Sequence, residues 1–171
     1  MNPGNDQTAL MSKQFYAFVY ILVLFAGCEE FGTSGKVVGI SDGDTFTMLN
    51  NDKQEIRVRL YGIDAPEKNQ DFGKVSKKFL SDLIYNKQVT IMEMDRDRYN
   101  RIVSIAKIDS IVVNEVMLEE GLAWHYDQYD NNPYWIALEL AAQKQRRGLW
   151  RDEAPTPPWN FRKQKRKVAQ Q

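Results

Sequence analysis

The chain has 171 residues, 43% hydrophobic and 27% charged, a balance that suits one folded domain of ordinary size. Its 23 basic and 23 acidic residues cancel, and residues 1–27 hold only Lys13 and Asp6, so the remainder is neutral too; the chain is no polycation, and phosphate binding must come from a local charge cluster. One histidine (His125) and one cysteine (Cys28) exclude a zinc finger or ribbon, which takes about four such ligands, as well as a histidine-rich metal site and an intrachain disulfide, so hydrolytic chemistry would rest on carboxylates, arginines and tyrosine.

Residues Phe15 to Gly27 form an uncharged, mostly apolar run that follows Lys13 and ends in small residues. This reads as an export signal spanning residues 1–28. It is too short for a comfortable bilayer helix, which takes about 20 apolar residues. The tetrapeptide Phe25-Ala26-Gly27-Cys28 resembles a bacterial lipobox, which makes Cys28 the candidate lipidation site and implies an exported, membrane-anchored lipoprotein. An ordinary secretory signal and an uncleaved anchor with an incidental cysteine stay open. Met11 reads as the better translation start, because residues 1–10 contain one acid and no base. Residues 29–35 read as a polar tether.

The body is expected from residue 36 to residue 160. Lys36–Ser41 and Thr45–Leu49 read as strands around the turn signal Asp42-Gly43-Asp44. Gln54–Tyr61 alternates, with Ile56, Val58 and Leu60 on one face and Glu55, Arg57 and Arg59 on the other. Phe72–Ile84 reads as a helix with Phe72, Val75, Phe79, Leu80 and Leu83 on its apolar face. Gln88–Met94 and Ile102–Ile108 read as strands joined by a charged loop. Asn114 is placed as the cap of a helix Glu115–Glu120 that stops at Gly121, and Asn132 caps a last helix that begins at Pro133 and runs to about Arg147. Residues 161–171, with Arg162–Lys167, read as a basic, disordered tail. Three strands, a helix, two strands and two helices suit an α+β fold: a five-stranded OB-type barrel with three helices.

Acid and arginine concentrate in three segments: Asp42–Thr45, Arg59–Glu67 and Asp97–Arg101. Phosphodiester hydrolysis needs a cation to offset charge, a base to activate or orient water, and donors for the equatorial oxygens. Oxygen ligands such as Asp44 and Asp64 suit a hard cation, Ca²⁺ or Mg²⁺. Glu67, just past Pro66, is placed near the attacking water, and arginine forks match phosphate oxygens in pairs. Each segment alone has a plainer reading as a turn, a solvated strand face or a hairpin loop. Their order and spacing together carry the argument.

Over Lys36 to Trp150 the sequence resembles the staphylococcal nuclease (thermonuclease) family. Asp42–Thr45 matches its Asp-Gly-Asp-Thr, and Arg59–Glu67 its Arg-x-x-x-x-Asp-x-Pro-Glu. Asp97–Arg101 matches its Asp-x-Tyr-Gly-Arg, with Asn100 in the glycine position, where asparagine tolerates a left-handed backbone. Val113-Asn114 with Gly121-Leu122-Ala123, Gly148-Leu149-Trp150 and Pro157-Pro158-Trp159 match further blocks. The resemblance implies Asp44, Asp64 and the Ala65 carbonyl as calcium ligands, with Mg²⁺ the less fitting ion. It implies Glu67 as general base or water-positioning residue, and Arg59 and Arg101 on the scissile phosphate. Arg98, Tyr99 and Tyr129 fall where substrate contacts lie, and Asp127 falls where some members carry another tyrosine. The implied activity is endonucleolytic cleavage of DNA and RNA with little sequence preference, leaving 3′-phosphate ends, by a monomer. A catalytically silent barrel that only binds nucleic acid or protein would be expected to lack one or more of Asp44, Arg59, Asp64, Glu67 and Arg101, yet all are present. His125 reads as a surface or packing residue, and Trp124, Tyr126 and Trp135 as packing residues.

Overall fold

Alternation of apolar side chains along successive strands generates a closed barrel. The structure, a computed structural model, describes residues 32–170. The export signal, Cys28 and residues 29–31 lie outside the described residues. Strands β1 (Thr33–Ile40), β2 (Thr45–Asn50) and β3 (Glu55–Leu60) form an antiparallel meander. β5 (Gln88–Arg96) pairs antiparallel with the other edge of β1, and β6 (Ile102–Ile108) with β5. β6 also meets β3 in parallel, Val58 opposite Ile102, which closes the barrel and removes its open edges. The expected five-stranded OB-type barrel is therefore present. Thr33–Gly35, read from sequence as tether, belong to β1 and pair with β5.

Inward-facing Phe46, Met48, Val58, Leu60, Ile91 and Ala106 are each no more than 1% exposed. Burial of a large apolar side chain contributes roughly 1.5–3 kcal/mol. A two-stranded ribbon, β4 (Ile63–Asp64) with β8 (Trp124–His125), leaves the end of β3 and sets Asp64 opposite Trp124. A two-residue strand, β7 (Ile111–Val112), extends the sheet beyond β6.

Helix α1 (Gly73–Ile84) buries Gly73, Ser76, Leu80 and Ile84. Its face is rotated from the expected one: Val75 is 52% exposed, and Phe72 is the left-handed residue before the helix. Ser76 sets that rotation, because its hydroxyl donates to the Leu122 carbonyl at 2.7 Å. Helix α2 (Val113–Glu119) includes Asn114 rather than being capped by it. The buried Asn114 amide instead accepts from the Ala106 N–H (3.0 Å) and donates to the Tyr61 carbonyl (2.9 Å), holding α2 to the barrel. Gly121, with φ +63°, ends this segment as expected. Helix α3 (Pro133–Lys144) starts as expected, with the Asn132 side chain accepting from Tyr134 N–H at 2.9 Å.

The stretch read as a disordered tail is helical. A 3-10 turn (Gly148–Arg151) leads to α4 (Pro158–Val168), which brings the helices to four among the described residues, one more than expected. Pro158 takes the first helical position, and Lys165–Lys167 sit in the last turn, where the helix dipole favours cations. Trp159 docks the helix: its ring stacks on Tyr126, with centroids 5.2 Å apart and planes 4° from parallel, and meets Trp124 edge-on at 5.8 Å.

Candidate active site

The Asp42–Thr45 turn, the β3–β4 corner and the β5–β6 loop converge at one end of the barrel. The Leu60 N–H donates to the Asp44 carbonyl at 2.8 Å, tying the first turn to the end of β3. Gly43 packs directly on α1: a Cβ there would lie 2.0 Å from Ser76 Oγ and 2.8 Å from Ala65 Cβ. The turn can approach the helix so closely only with glycine at this point.

Asp44 and Asp64 are buried, 3% and 0% exposed. Asp44 Oδ1 accepts from the Thr45 hydroxyl at 2.8 Å, and Oδ2 from the Ala65 N–H at 3.0 Å. Arg59 Nη2 reaches Asp64 Oδ1 at 2.7 Å and Asp44 Oδ2 at 3.2 Å, so one guanidinium bridges both acids. Burial pushes the Asp44 carboxyl up, but the Arg59 charge and the hydrogen bonds from Ala65, Asp42 and Thr45 outweigh it and hold Asp44 below the usual range. Burial first, then the Asp44 charge, pushes Asp42 up to about 7. Asp64 is also raised, chiefly by burial, against the hydrogen bonds from Arg162 and the charge of Arg59.

The third motif makes a tight loop. Asp97 Oδ1 accepts from the N–H groups of Tyr99 (2.9 Å) and Arg101 (3.0 Å), while Asp97 Oδ2 accepts from Arg101 Nε at 2.6 Å. Asn100 has φ +60°, the left-handed conformation that its place in the glycine position calls for. Arg101 Nη1 donates to Thr45 Oγ1 at 3.2 Å. The Thr45 hydroxyl therefore accepts from Arg101 while it donates to Asp44, and couples two of the three motifs.

An open cleft of about 640 Å³ has walls that include Arg59, Glu67, Arg98, Tyr99, Arg101 and Tyr129. All six residues expected at the reaction centre or the substrate thus share one cleft, and Arg59 joins it to the buried Asp44 and Asp64. Tyr99 and Tyr129 are each 63% exposed. The Arg98 and Arg101 guanidinium carbons lie 5.0 and 5.7 Å from the Tyr99 ring centre. The Tyr61 hydroxyl donates to the Tyr129 carbonyl, which fixes the backbone beneath the Tyr129 ring. Exposed Asp127 is not among the residues lining this cleft. His125 is a packing residue, with Nε2 2.9 Å from Asp130 Oδ2.

Two further groups belong to the cleft. Tyr126 lines it while stacking on Trp159. Arg162 of α4 reaches over the acids: Nη2 lies 2.8 Å from Asp64 Oδ2, and Nη1 2.8 Å from Glu67 Oε1. Burial acts against the Arg162 charge, but its hydrogen bonds to Asp64 and Glu67 prevail and raise its pKa. A usable sequence signal existed, since Pro158 can open a helix and Trp159 and Arg162 are then one turn apart on one face. A run of bases is more often a solvated tail.

Among the described residues, no three or more His, Cys, Asp or Glu side chains gather as a metal cluster. Two buried carboxylates, Asp44 and Asp64, are bridged by Arg59 and lie beside the Ala65 backbone. Their oxygens are hard donors and fit a hard divalent cation. Asp44 anchors the Ala65 N–H, which places the residue expected to offer a carbonyl beside the acids.

The sequence model of the family described as staphylococcal nuclease homologue matches residues 57–152. An uncharacterized endonuclease of Haemophilus influenzae is 39% identical over 150 residues, covering 88% of this chain and 84% of that protein. An uncharacterized endonuclease of Escherichia coli is 42% identical over 132 residues, covering 77% and 86% respectively. A micrococcal nuclease of Shigella flexneri is 36% identical over 158 residues, covering 86% and 89%.

Proposed function

The chain belongs to the staphylococcal nuclease homologue family and is a nuclease, and from that premise we propose that it is a calcium-dependent endonuclease of DNA and RNA with little sequence preference, leaving 3′-phosphate ends. One observation carries the reading. Glu67, Arg59 and Arg101 line a single cleft together with the exposed Tyr99 and Tyr129, and Arg59 joins that cleft to the two buried acids, Asp44 and Asp64.

Asp44, Asp64 and the Ala65 carbonyl would hold the cation. Bound there, calcium would offset the charge that grows on the phosphate during attack. Two carboxylates with room for water and substrate suit Ca²⁺ better than Mg²⁺, which demands near-ideal octahedral geometry.

Arg59 and Arg101 would donate to the equatorial phosphate oxygens. Arg101 is already oriented by Asp97 and Thr45, so little ordering remains for it when substrate arrives, whereas Arg59, which rests on Asp44 and Asp64, would exchange those contacts for the phosphate once the cation is bound. Glu67 borders the cleft and is half-buried, in reach of water; it would orient the attacking water and take its proton. Tyr99 and Tyr129 offer exposed ring faces on which bases stack without regard to sequence, and Arg98 adds a charge for a flanking phosphate. Action as a monomer, export and anchoring through a lipid on Cys28 complete the proposal.

The test is cleavage of single-stranded DNA and RNA in calcium, then in excess chelator. Activity is expected in calcium alone, and persistence in chelator would refute the cation assignment. Glu67→Gln should slow turnover by roughly 10²–10⁴ with calcium binding retained. An unchanged rate would remove Glu67 from proton transfer.

A further inference from the structure

Asp64 and Glu67 face more arginine than the motifs account for. Arg59 already donates to Asp64 Oδ1 at 2.7 Å. Arg162, from α4, adds contacts to Asp64 Oδ2 at 2.8 Å, Asp64 Oδ1 at 3.2 Å and Glu67 Oε1 at 2.8 Å. One guanidinium thus grips a proposed cation ligand and the proposed base together. Both oxygens of Asp64 are engaged, and its side chain is only 1% exposed beneath the two arginines.

We propose that Arg162 is a third active-site arginine, paired with Asp64 and Glu67 until a divalent cation claims Asp64, and from then on a ligand of the substrate phosphate. The proposal rests on the cation reading of Asp44 and Asp64 given above.

Three observations lead to it. First, a cation on Asp64 and a guanidinium bridging both Asp64 oxygens compete for the same lone pairs and repel each other, so binding of either weakens the other. Second, the root of α4 is fixed without Arg162. Trp159, one turn earlier, stacks on Tyr126, and the Gln70 side-chain amide donates to the Thr156 carbonyl. Loss of the Asp64 contact therefore needs only a swing of a long side chain on a docked helix. Third, the Arg162 side chain is 36% exposed and lines the same cleft as Arg59, Arg101 and Tyr99. A guanidinium released from Asp64 stays within that cleft, where a polyanion is the partner its planar fork matches. Lys163, Lys165, Arg166 and Lys167 are exposed on the same helix and add sequence-independent attraction along it. The result is an order of events: cation first, then nucleic acid.

The experiment uses the full chain in non-ionic detergent, as wild type, Arg162→Ala and Arg162→Lys. Calcium affinity is measured by titration calorimetry without nucleic acid, and kcat and KM on a single-stranded oligodeoxynucleotide at saturating calcium. Arg162→Ala should bind calcium about tenfold more tightly, within the usual range of coupling between sites. Its KM should rise about tenfold, and Arg162→Lys should recover part of that loss. Equal or weaker calcium binding by a folded Arg162→Ala, judged by its near-ultraviolet circular dichroism, would overturn the competition. Tighter calcium binding with unchanged kcat and KM would overturn the phosphate role. If no form binds calcium, the cation reading itself falls; if all three bind alike, that reading stands and Arg162 alone loses its role.

Discussion

Gly43→Ala tests how the fold positions the acids. The added Cβ would lie 2.0 Å from Ser76 Oγ, 2.8 Å from Ser76 Cβ and 2.8 Å from Ala65 Cβ. Ser76 cannot simply rotate away, because its hydroxyl donates to the buried Leu122 carbonyl at 2.7 Å. Either the turn lifts from α1 or that hydrogen bond breaks. Overpacking costs typically about 1–3 kcal/mol, and an orphaned buried carbonyl adds about 1–3 kcal/mol. A total of about 2–6 kcal/mol is a large part of the roughly 5–15 kcal/mol that holds a domain together. It should lower Tm by roughly 5–25 °C in a domain of this size. If the turn lifts, Asp44 moves with it, and a misplacement of about 1 Å can cost about 10²-fold in turnover.

The assays are thermal unfolding by circular dichroism and cleavage of single-stranded DNA at saturating calcium. A cycle with Ser76→Gly separates steric from backbone effects. Ser76→Gly alone is destabilising, yet it removes the side-chain atoms that the methyl group introduced by Gly43→Ala would strike. The double variant should therefore be more stable than the sum of the singles implies, by at least about 1 kcal/mol. Strict additivity, or a Gly43→Ala variant with unchanged Tm and turnover, would refute the claim that close packing on α1 places Asp44.

Asp97→Asn should destabilise the protein by about 1–2 kcal/mol at pH 7, as expected for hydrogen bonds to a charged group. Burial raises the Asp97 carboxyl, but the hydrogen bonds from Arg101 and Tyr99 and the Arg101 charge hold it below its ordinary value of 3.8. The stabilisation is therefore complete well above pH 3.8 and is lost as pH falls below 3.8 and through the lowered folded-state value. Denaturant melts from pH 7 down to pH 2 should show the gap between wild type and variant closing; a gap constant down to pH 2 would contradict this. Cys28→Ala should abolish incorporation of labelled fatty acid in a bacterial host, and label retained by the variant would exclude Cys28 as the lipid site.

The barrel was legible because strands that face a core on one side alternate with period two. Val58 and Leu60 on β3 and Ile102, Ser104, Ala106 and Ile108 on β6 are all buried at alternate positions. The acids and arginines were legible because they sit at strand ends, where the spacing Arg59 to Asp64 spans a corner of fixed reach. Helix faces were read less well. Ser76 faces inward and Val75 outward, because a single hydrogen bond to Leu122 in a distant segment outranks the hydrophobicity of one valine. Asn114 matched the composition of a cap, but its amide is used by three backbone partners that only the closed barrel brings together.

Helix α4 marks where local reading fails for a physical reason. Charge repulsion along Arg162–Lys167 argues against an isolated helix, and short helices are marginal in water in any case. Its stability comes from outside the segment: the Trp159 ring on Tyr126, and the Arg162 guanidinium on Asp64 and Glu67. The first contact is apolar and indifferent to ions. The second is ionic, and involves acids that the catalytic proposal assigns to other work. A helix held by one permanent contact and one contested contact would stay docked while its arginine changes partner. The same acids that make the cleft suitable for a cation also explain why a basic segment, unpromising by composition, folds against it.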